Sequence, residues 1–95
     1  MNNKGHEMMQ ANVEAFIRAF IVDNFLFRDD REALSDTESL LEGGLMDSTG
    51  VLELVAFLES EVGIEVDDAE IIPENLDSIK NIAAYAKSKL AQLAA

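Results

Sequence analysis

Apolar residues recur at Val13, Phe16, Ile17, Phe20 and Phe27 with polar Glu14, Arg18 and Asp23 off that stripe, the spacing of one helical face. The pattern predicts a first helix over about Met9 to Phe27. From Arg28 to Asp47 the periodicity fails. Asp29-Asp30, Asp36 and Gly43-Gly44 interrupt it, and Leu34, Leu40, Leu41 and Leu45 are left to pin the stretch down. It reads as a long loop, inside which Ser35-x-x-Glu38 or Ser39-x-x-Glu42 could cap a short turn. A second periodic run places Leu54, Leu58 and Val62 on one stripe with Val51, Val55 and Phe57 beside it, so a helix is expected over about Ser48 to Val62. Gly63 is its C-cap, and Ile64-Glu65-Val66-Asp67 is a short link, because one four-residue alternation without a partner makes no sheet. Asp68 is expected to cap a brief third helix, Ala69 to Ile72, that Pro73 stops by pushing its predecessor out of the helical region. Asp77-Ser78 then opens a last helix whose stripe is Ile79, Ile82, Ala83, Ala86, Leu90 and Leu93.

The fold class that follows is all-α: a small four-helix bundle with three long helices, one short one and a long loop between the first two. Residues 1–8 read as a flexible N-terminal segment and 9–95 as a single domain. The expected core is Val13, Phe16, Ile17 and Phe20, then Leu54, Leu58 and Val62, then Ile71 or Ile72, then Ile79, Ile82, Ala83 and Leu90. The third helix has the fewest apolar anchors and is the element expected to move.

Charge narrows the partners. Seven Lys and Arg against nineteen Asp and Glu give a net charge of −12, which repels phosphate backbones and anionic lipid alike. Nucleic acid and membranes are excluded on that ground, and basic protein surfaces are favoured. The chain has no cysteine, hence no disulfide, no thiolate nucleophile and no thiolate metal site, and a reducing cytoplasmic home is the simplest expectation. Its one histidine, His6, lies in a polar stretch, far from the setting of a catalytic triad or a zinc site. Asp29-Asp30, Asp36 and Asp67-Asp68-Glu70 lack calcium-loop spacing. So small a domain has little room for an enclosed substrate site, so no enzyme is expected and most of the acids are a solvated face.

The informative segment is Gly43-Gly44-Leu45-Met46-Asp47-Ser48-Thr49-Gly50, a loop that delivers a serine to the first turn of an acidic helix. The free N–H groups and positive dipole end of a helix stabilise a phosphate attached to such a hydroxyl. Capping of the helix by Asp47 or Ser48 explains the same residues without any modification.

The order of long helix, long loop, Asp47-Ser48, acidic helix, Gly63-Ile64-Glu65-Val66, a short helix before Pro73-Glu74-Asn75-Leu76-Asp77-Ser78, and last helix resembles the acyl carrier protein family, including peptidyl and aminoacyl carriers. The likeness covers nearly all of the chain after Met8 and is sharpest in Leu45-Met46-Asp47-Ser48, in Leu54-Val55-Ala56-Phe57-Leu58-Glu59, and in Gly63-Ile64-Glu65-Val66 through Pro73-Glu74-Asn75-Leu76-Asp77-Ser78. It implies a monomeric carrier without catalysis of its own. Ser48 would bear 4′-phosphopantetheine taken from coenzyme A by a phosphopantetheinyl transferase, with Asp47 as the residue before the modified serine. It further implies that loading and processing enzymes of a fatty-acid, polyketide or related pathway dock through basic surfaces onto the second helix. On this chain those contacts would be Met46, Thr49, Val51, Glu53, Glu59 and Glu61. The family also implies partial shelter of the carried chain between helices, with Ala56, Ala83 and Ala86 as small residues that ease the opening. Two positions depart from fatty-acid carriers, which usually have an apolar residue directly after the serine: Thr49 stands there, and Gly50 follows at a cost of about 1 kcal/mol in a helix interior. They bear on partner choice and point to a specialised pathway. The alternative from another class is an unmodified acidic module that binds a basic partner through the second helix.

Overall fold

The computed structural model describes residues 3–25 and 35–94, with side chains over 12–25 and 35–93. Helix α1 runs Asn3–Phe25, α2 Ser48–Phe57, α3 Pro73–Leu76 and α4 Ile79–Ala94. A π-helical turn, Leu58–Val62, extends α2, and a 3₁₀ turn, Asp68–Glu70, precedes α3. No strand occurs among the described residues. The all-α four-helix bundle read from the periodicity is the fold.

α1 starts six residues before the expected Met9 and takes in most of the segment 1–8. Once a helix is nucleated, each added residue costs little, and no proline stands in the way. Phe27, Asp29, Asp30 and Leu34 lie outside the described residues, as does the side chain of His6.

The buried row of α1 is Val13, Ile17, Ile21, Val22 and Phe25, rotated from the expected stripe. Phe16, placed in the core from its spacing, is 36% exposed. Aromatic packing on the flank explains the rotation: Phe20 stacks on Phe57 with ring centroids 4.1 Å apart, and Phe16 packs on the same Phe57 ring at 5.2 Å. Phe20 is accordingly half-buried. Leu54, Leu58 and Val62 are buried as expected, although the helix is wound wider over its last turn. Gly63 ends it with φ at 89°, a value open to glycine without strain, and its N–H bonds the Leu58 carbonyl at 2.9 Å.

Two expectations between α2 and α4 are corrected. The brief helix over Ala69 to Ile72 is instead a 3₁₀ turn over Asp68–Glu70, with Asp67 and not Asp68 at its N-cap. Pro73 does not stop a helix but begins α3. At the first helical position the missing N–H would have no partner in any case and the ring presets φ, while Ile72 before it takes the extended conformation that proline imposes. Ile72 is 41% exposed and Ile71 half-buried, so Leu76 is the residue that this region sends into the core. On α4, Ile79, Ile82, Ala83, Ala86 and Leu90 are buried with Tyr85, whereas Leu93 is 60% exposed in the last turn.

The loop ahead of α2 is held by hydrogen bonds and by one leucine. Leu40 is 1% exposed, and its carbonyl accepts from both Leu45 and Met46 N–H at 3.0 and 3.1 Å. Ser39 Oγ accepts from Glu42 N–H at 3.1 Å, so the second Ser-x-x-Glu match forms a turn without growing into a helix. The loop docks on the start of α4, where Leu40 N–H donates to Asp77 O at 2.7 Å and Lys80 N–H to Asp36 O at 2.8 Å. Arg18 pairs with Asp36 and ties the same loop to α1.

Candidate functional site

Asp47 is the N-cap of α2: its backbone is extended and its carboxylate accepts the Gly50 N–H at 2.8 Å. Val51 N–H is taken by the Asp47 carbonyl at 2.9 Å. That leaves the N–H groups of Ser48 and Thr49 at the positive end of the helix. Ser48 is the first residue of α2, is exposed, and its hydroxyl makes no hydrogen bond to the described residues. The choice left open by the sequence between Asp47 and Ser48 as the cap thus falls to Asp47, which frees the serine.

Gly50 has a packing reason. A Cβ there would meet Met46 Cγ and Phe25 Cε1, each at 2.9 Å, closer than side chains approach. The end of α1 is therefore pressed against the first turn of α2, and only glycine leaves the room. The same contact corrects the assignment of Met46 as a surface contact: it is 4% exposed and belongs to the core.

Of the other expected contacts, Thr49, Glu53, Glu59 and Glu61 are exposed and Val51 is half-buried. At 3.6 residues per turn Glu53 and Glu59 point roughly 120° apart. They flank a ridge of Leu52 and Ala56 instead of sharing one face. Leu52 is 66% exposed, and the sequence reading passed over it. Its signal was present: a leucine off the buried stripe of an acidic helix. Glu59 also accepts the Val66 N–H at 3.1 Å, so it fastens the link after α2.

Leu41, Val51, Ile71, Ile72, Pro73 and Leu76 line an apolar cleft of about 100 Å³. Val51 follows Ser48 by three residues, one helical turn. Ala56, Ala83 and Ala86 do not line the cleft: Ala56 is exposed, and the other two are packed in the core. No periodicity marks a cleft assembled from a loop, one helix and a proline turn, which is why the sequence did not show it. A wider polar groove of about 510 Å³ lies around Asp77, Ser78 and Lys80. Its serines and its aspartate are committed to the fold: Ser39 Oγ donates to Asp77 Oδ2 at 2.6 Å, Leu41 N–H to Asp77 Oδ1 at 2.9 Å, and Asn81 N–H to Ser78 Oγ at 3.1 Å.

Behind the cleft, Glu70 Oε1 accepts from Tyr85 OH at 2.8 Å and from Lys89 Nζ at 3.0 Å. The Lys89 bond, then the Tyr85 and Asp67 bonds, hold the Glu70 carboxyl below its ordinary pKa. Burial, reinforced by that carboxylate, pushes the Tyr85 phenol up. Among the described residues no group of three or more His, Cys, Asp or Glu could hold a metal ion, and no helix is long and apolar enough to cross a membrane. No protein-family model matches the chain, and no curated protein matches it either.

Proposed function

We propose that this protein is an acyl or aminoacyl carrier whose Ser48 oxygen bears a 4′-phosphopantetheine arm. The observation that supports it most is the exposed Ser48 hydroxyl, unpartnered among the described residues on the first turn of α2. The carboxylate of the residue before it caps the helix, so the serine is presented without weakening the helix start. N–H groups of Ser48 and Thr49 and the helix dipole stabilise the phosphodiester there. The arm, when bound, supplies the thiol that this cysteine-free chain lacks and carries the cargo as a thioester. One tethered group then visits several enzymes at high effective concentration, and the carrier itself needs no catalytic residue. The apolar cleft one turn along α2 suits the near end of a carried chain.

Partners in this reading are a phosphopantetheinyl transferase and loading and processing enzymes with basic docking surfaces, drawn by Glu53 and Glu59 on either side of Leu52, with Thr49, Val51 and Glu61 as further contacts. The protein works as a cytoplasmic monomer of a fatty-acid, polyketide or related specialised pathway. The second reading, an unmodified acidic module, would bind a basic partner through the same exposed face, where Leu52 stands between Glu53 and Glu59.

Incubation of the folded chain with coenzyme A, magnesium and a broad-specificity transferase, followed by intact mass measurement, separates the two. The carrier gains one phosphopantetheine and Ser48→Ala gains none. A folded parent chain that stays at its original mass favours the unmodified module.

A further inference from the structure

The wall of the cleft formed by Ile71 and Ile72 is held by little apolar burial. The 3₁₀ turn before it buries no residue, Ile71 is half-buried and Ile72 is 41% exposed. Hydrogen bonds hold it from both ends: the Ile72 carbonyl accepts from Asn75 and Leu76 N–H of α3 at 3.0 and 3.1 Å, and Glu70 ties the other end to α4. Its Oε1 accepts from Tyr85 OH at 2.8 Å, Lys89 Nζ at 3.0 Å and Asp67 N–H at 3.2 Å, two of the three from α4. Its carbonyl accepts from Ile72 N–H and from Asn75 Nδ2, both at 2.9 Å. The first of these closes an inverse γ-turn with Ile71 at φ −83° and ψ 76°. One residue therefore bolts the turn to α4 with its side chain and sets the directions of Ile71 and Ile72 with its backbone. Bonds of this kind to a charged acceptor are the stronger ones, and Lys89 is largely shielded, its side chain 16% exposed.

We propose that Glu70, held by Tyr85 and Lys89, is a latch that limits the width of the cleft and so selects short apolar cargo. This rests on the carrier reading of Ser48. The cleft measures about 100 Å³, less than the roughly 150 Å³ of an apolar cavity that takes a benzene ring. A group of a few carbons fits without displacing anything. A longer one must push the Ile71–Ile72 wall away from Leu41 and Val51, and that wall does not open far while Glu70 holds its leading end to α4. Coupling of this sort is reciprocal: a weaker latch admits longer groups, and a longer group weakens the latch.

The chain has no cysteine, so Ser48→Cys creates a single attachment point that needs neither transferase nor coenzyme A. Residue 51 lies about 5–6 Å from residue 48 between Cβ atoms, within reach of a short alkyl chain. The protein is alkylated at that position with methyl, butyl or octyl iodide, and NMR cross-peaks are read between the alkyl chain and the methyl groups of Ile71, Ile72 and Leu76. In the Ser48→Cys background the butyl chain gives cross-peaks to all three, while the end of the octyl chain gives none to Leu76. Adding Tyr85→Phe, which removes only the hydroxyl, brings the octyl end onto Leu76, and Lys89→Met acts in the same direction. Ser78→Ala, which loosens the start of α4 without touching Glu70, keeps the pattern of the Ser48→Cys background. The latch is overturned by a cross-peak pattern that Tyr85→Phe and Lys89→Met leave unchanged, or by Ser78→Ala producing the same gain. These conjugates report on the cleft whatever the mass assay says of Ser48, so the two proposals fail separately.

Discussion

Asp47-Ser48 and Asp77-Ser78 are the same dipeptide at the start of a helix, and the fold uses them in opposite ways. At α2 the aspartate is the cap, its carboxylate on the Gly50 N–H, and the serine is the first helical residue, exposed and unpartnered among the described residues. At α4 the helix begins one residue later, at Ile79. There the serine is the cap, 6% exposed with Asn81 N–H on its hydroxyl. Its aspartate is released from capping and clamps the loop through Ser39 Oγ and Leu41 N–H. A shift of one residue in where the helix starts exchanges the roles of the two side chains. A free hydroxyl results at one place and a structural one at the other.

The comparison is most exposed to failure in the transferase reaction, where the two serines should differ absolutely. Ser78→Ala is expected to take up one phosphopantetheine like the parent chain; loss of the addition in that variant with its fold intact would erase the distinction. Charge is the next difference: the first charged residue after Ser48 is Glu53, in the second turn of α2, whereas the first after Ser78 is Lys80, in the first turn of α4. Glu53→Lys should slow modification several-fold at low salt and much less at high salt, because exposed charges are screened beyond the ~8 Å Debye length. Glu53 is the cleaner choice, since reversal at Glu59 would also free the Val66 N–H.

Stability should separate the two pairs in the reverse sense. Asp77→Ala removes two bonds to a carboxylate and should cost about 2–3 kcal/mol in a urea melt, against about 1 kcal/mol for the cap lost in Asp47→Ala. Equal costs would show that the loop is not held where we place it. At the third helical position Gly50 of α2 faces Phe25 and Met46, while Asn81 of α4 is half-buried beside the polar groove. Gly50→Ala should therefore destabilise by about 1 kcal/mol net, the overpacking strain outweighing the gain in helix propensity. A stabilised variant would mean that the α1–α2 contact is loose.

The smallest effect is the pH dependence of Glu70. Its carboxyl titrates lower in the folded chain than in the unfolded one. Its contribution is thus present above the ordinary glutamate range and lost as pH falls through the depressed native value. The stability difference between parent and Glu70→Gln should shrink on acidification, and a difference that stayed constant with pH would remove the carboxylate from the latch.

Most of the architecture was legible because burial is periodic. Leu54, Leu58 and Val62, or Ile79, Ile82, Ala83 and Leu90, announce a buried face through spacing alone, and the structure buries all seven. Gly63 was equally plain, since few residues other than glycine accept its backbone conformation. Phe16 was misplaced because spacing gives a face and not its exact rotation; the partner ring, Phe57, turned the helix. Pro73 was read as a stop, although local sequence permits a stop or a start equally. The decision depends on whether the chain beyond can bury a residue, and Leu76 can.

By itself the sequence determined the all-α class, the order of the long helices, the acidic surface of α2 and the presence of a serine at its start. These follow from local periodicity, charge and capping chemistry, which act within a few residues of the chain. Tertiary structure alone decided that Ser48 is free and Ser78 is not, that Met46 is core, and that Gly50 makes room for Phe25. It also decided that Leu41, Val51 and Ile72 meet across a cleft latched by Glu70, Tyr85 and Lys89. Each of these turns on a contact between residues distant in sequence or on a one-residue choice of helix start. Such contacts are set by the packing of the whole domain, which no local pattern encodes.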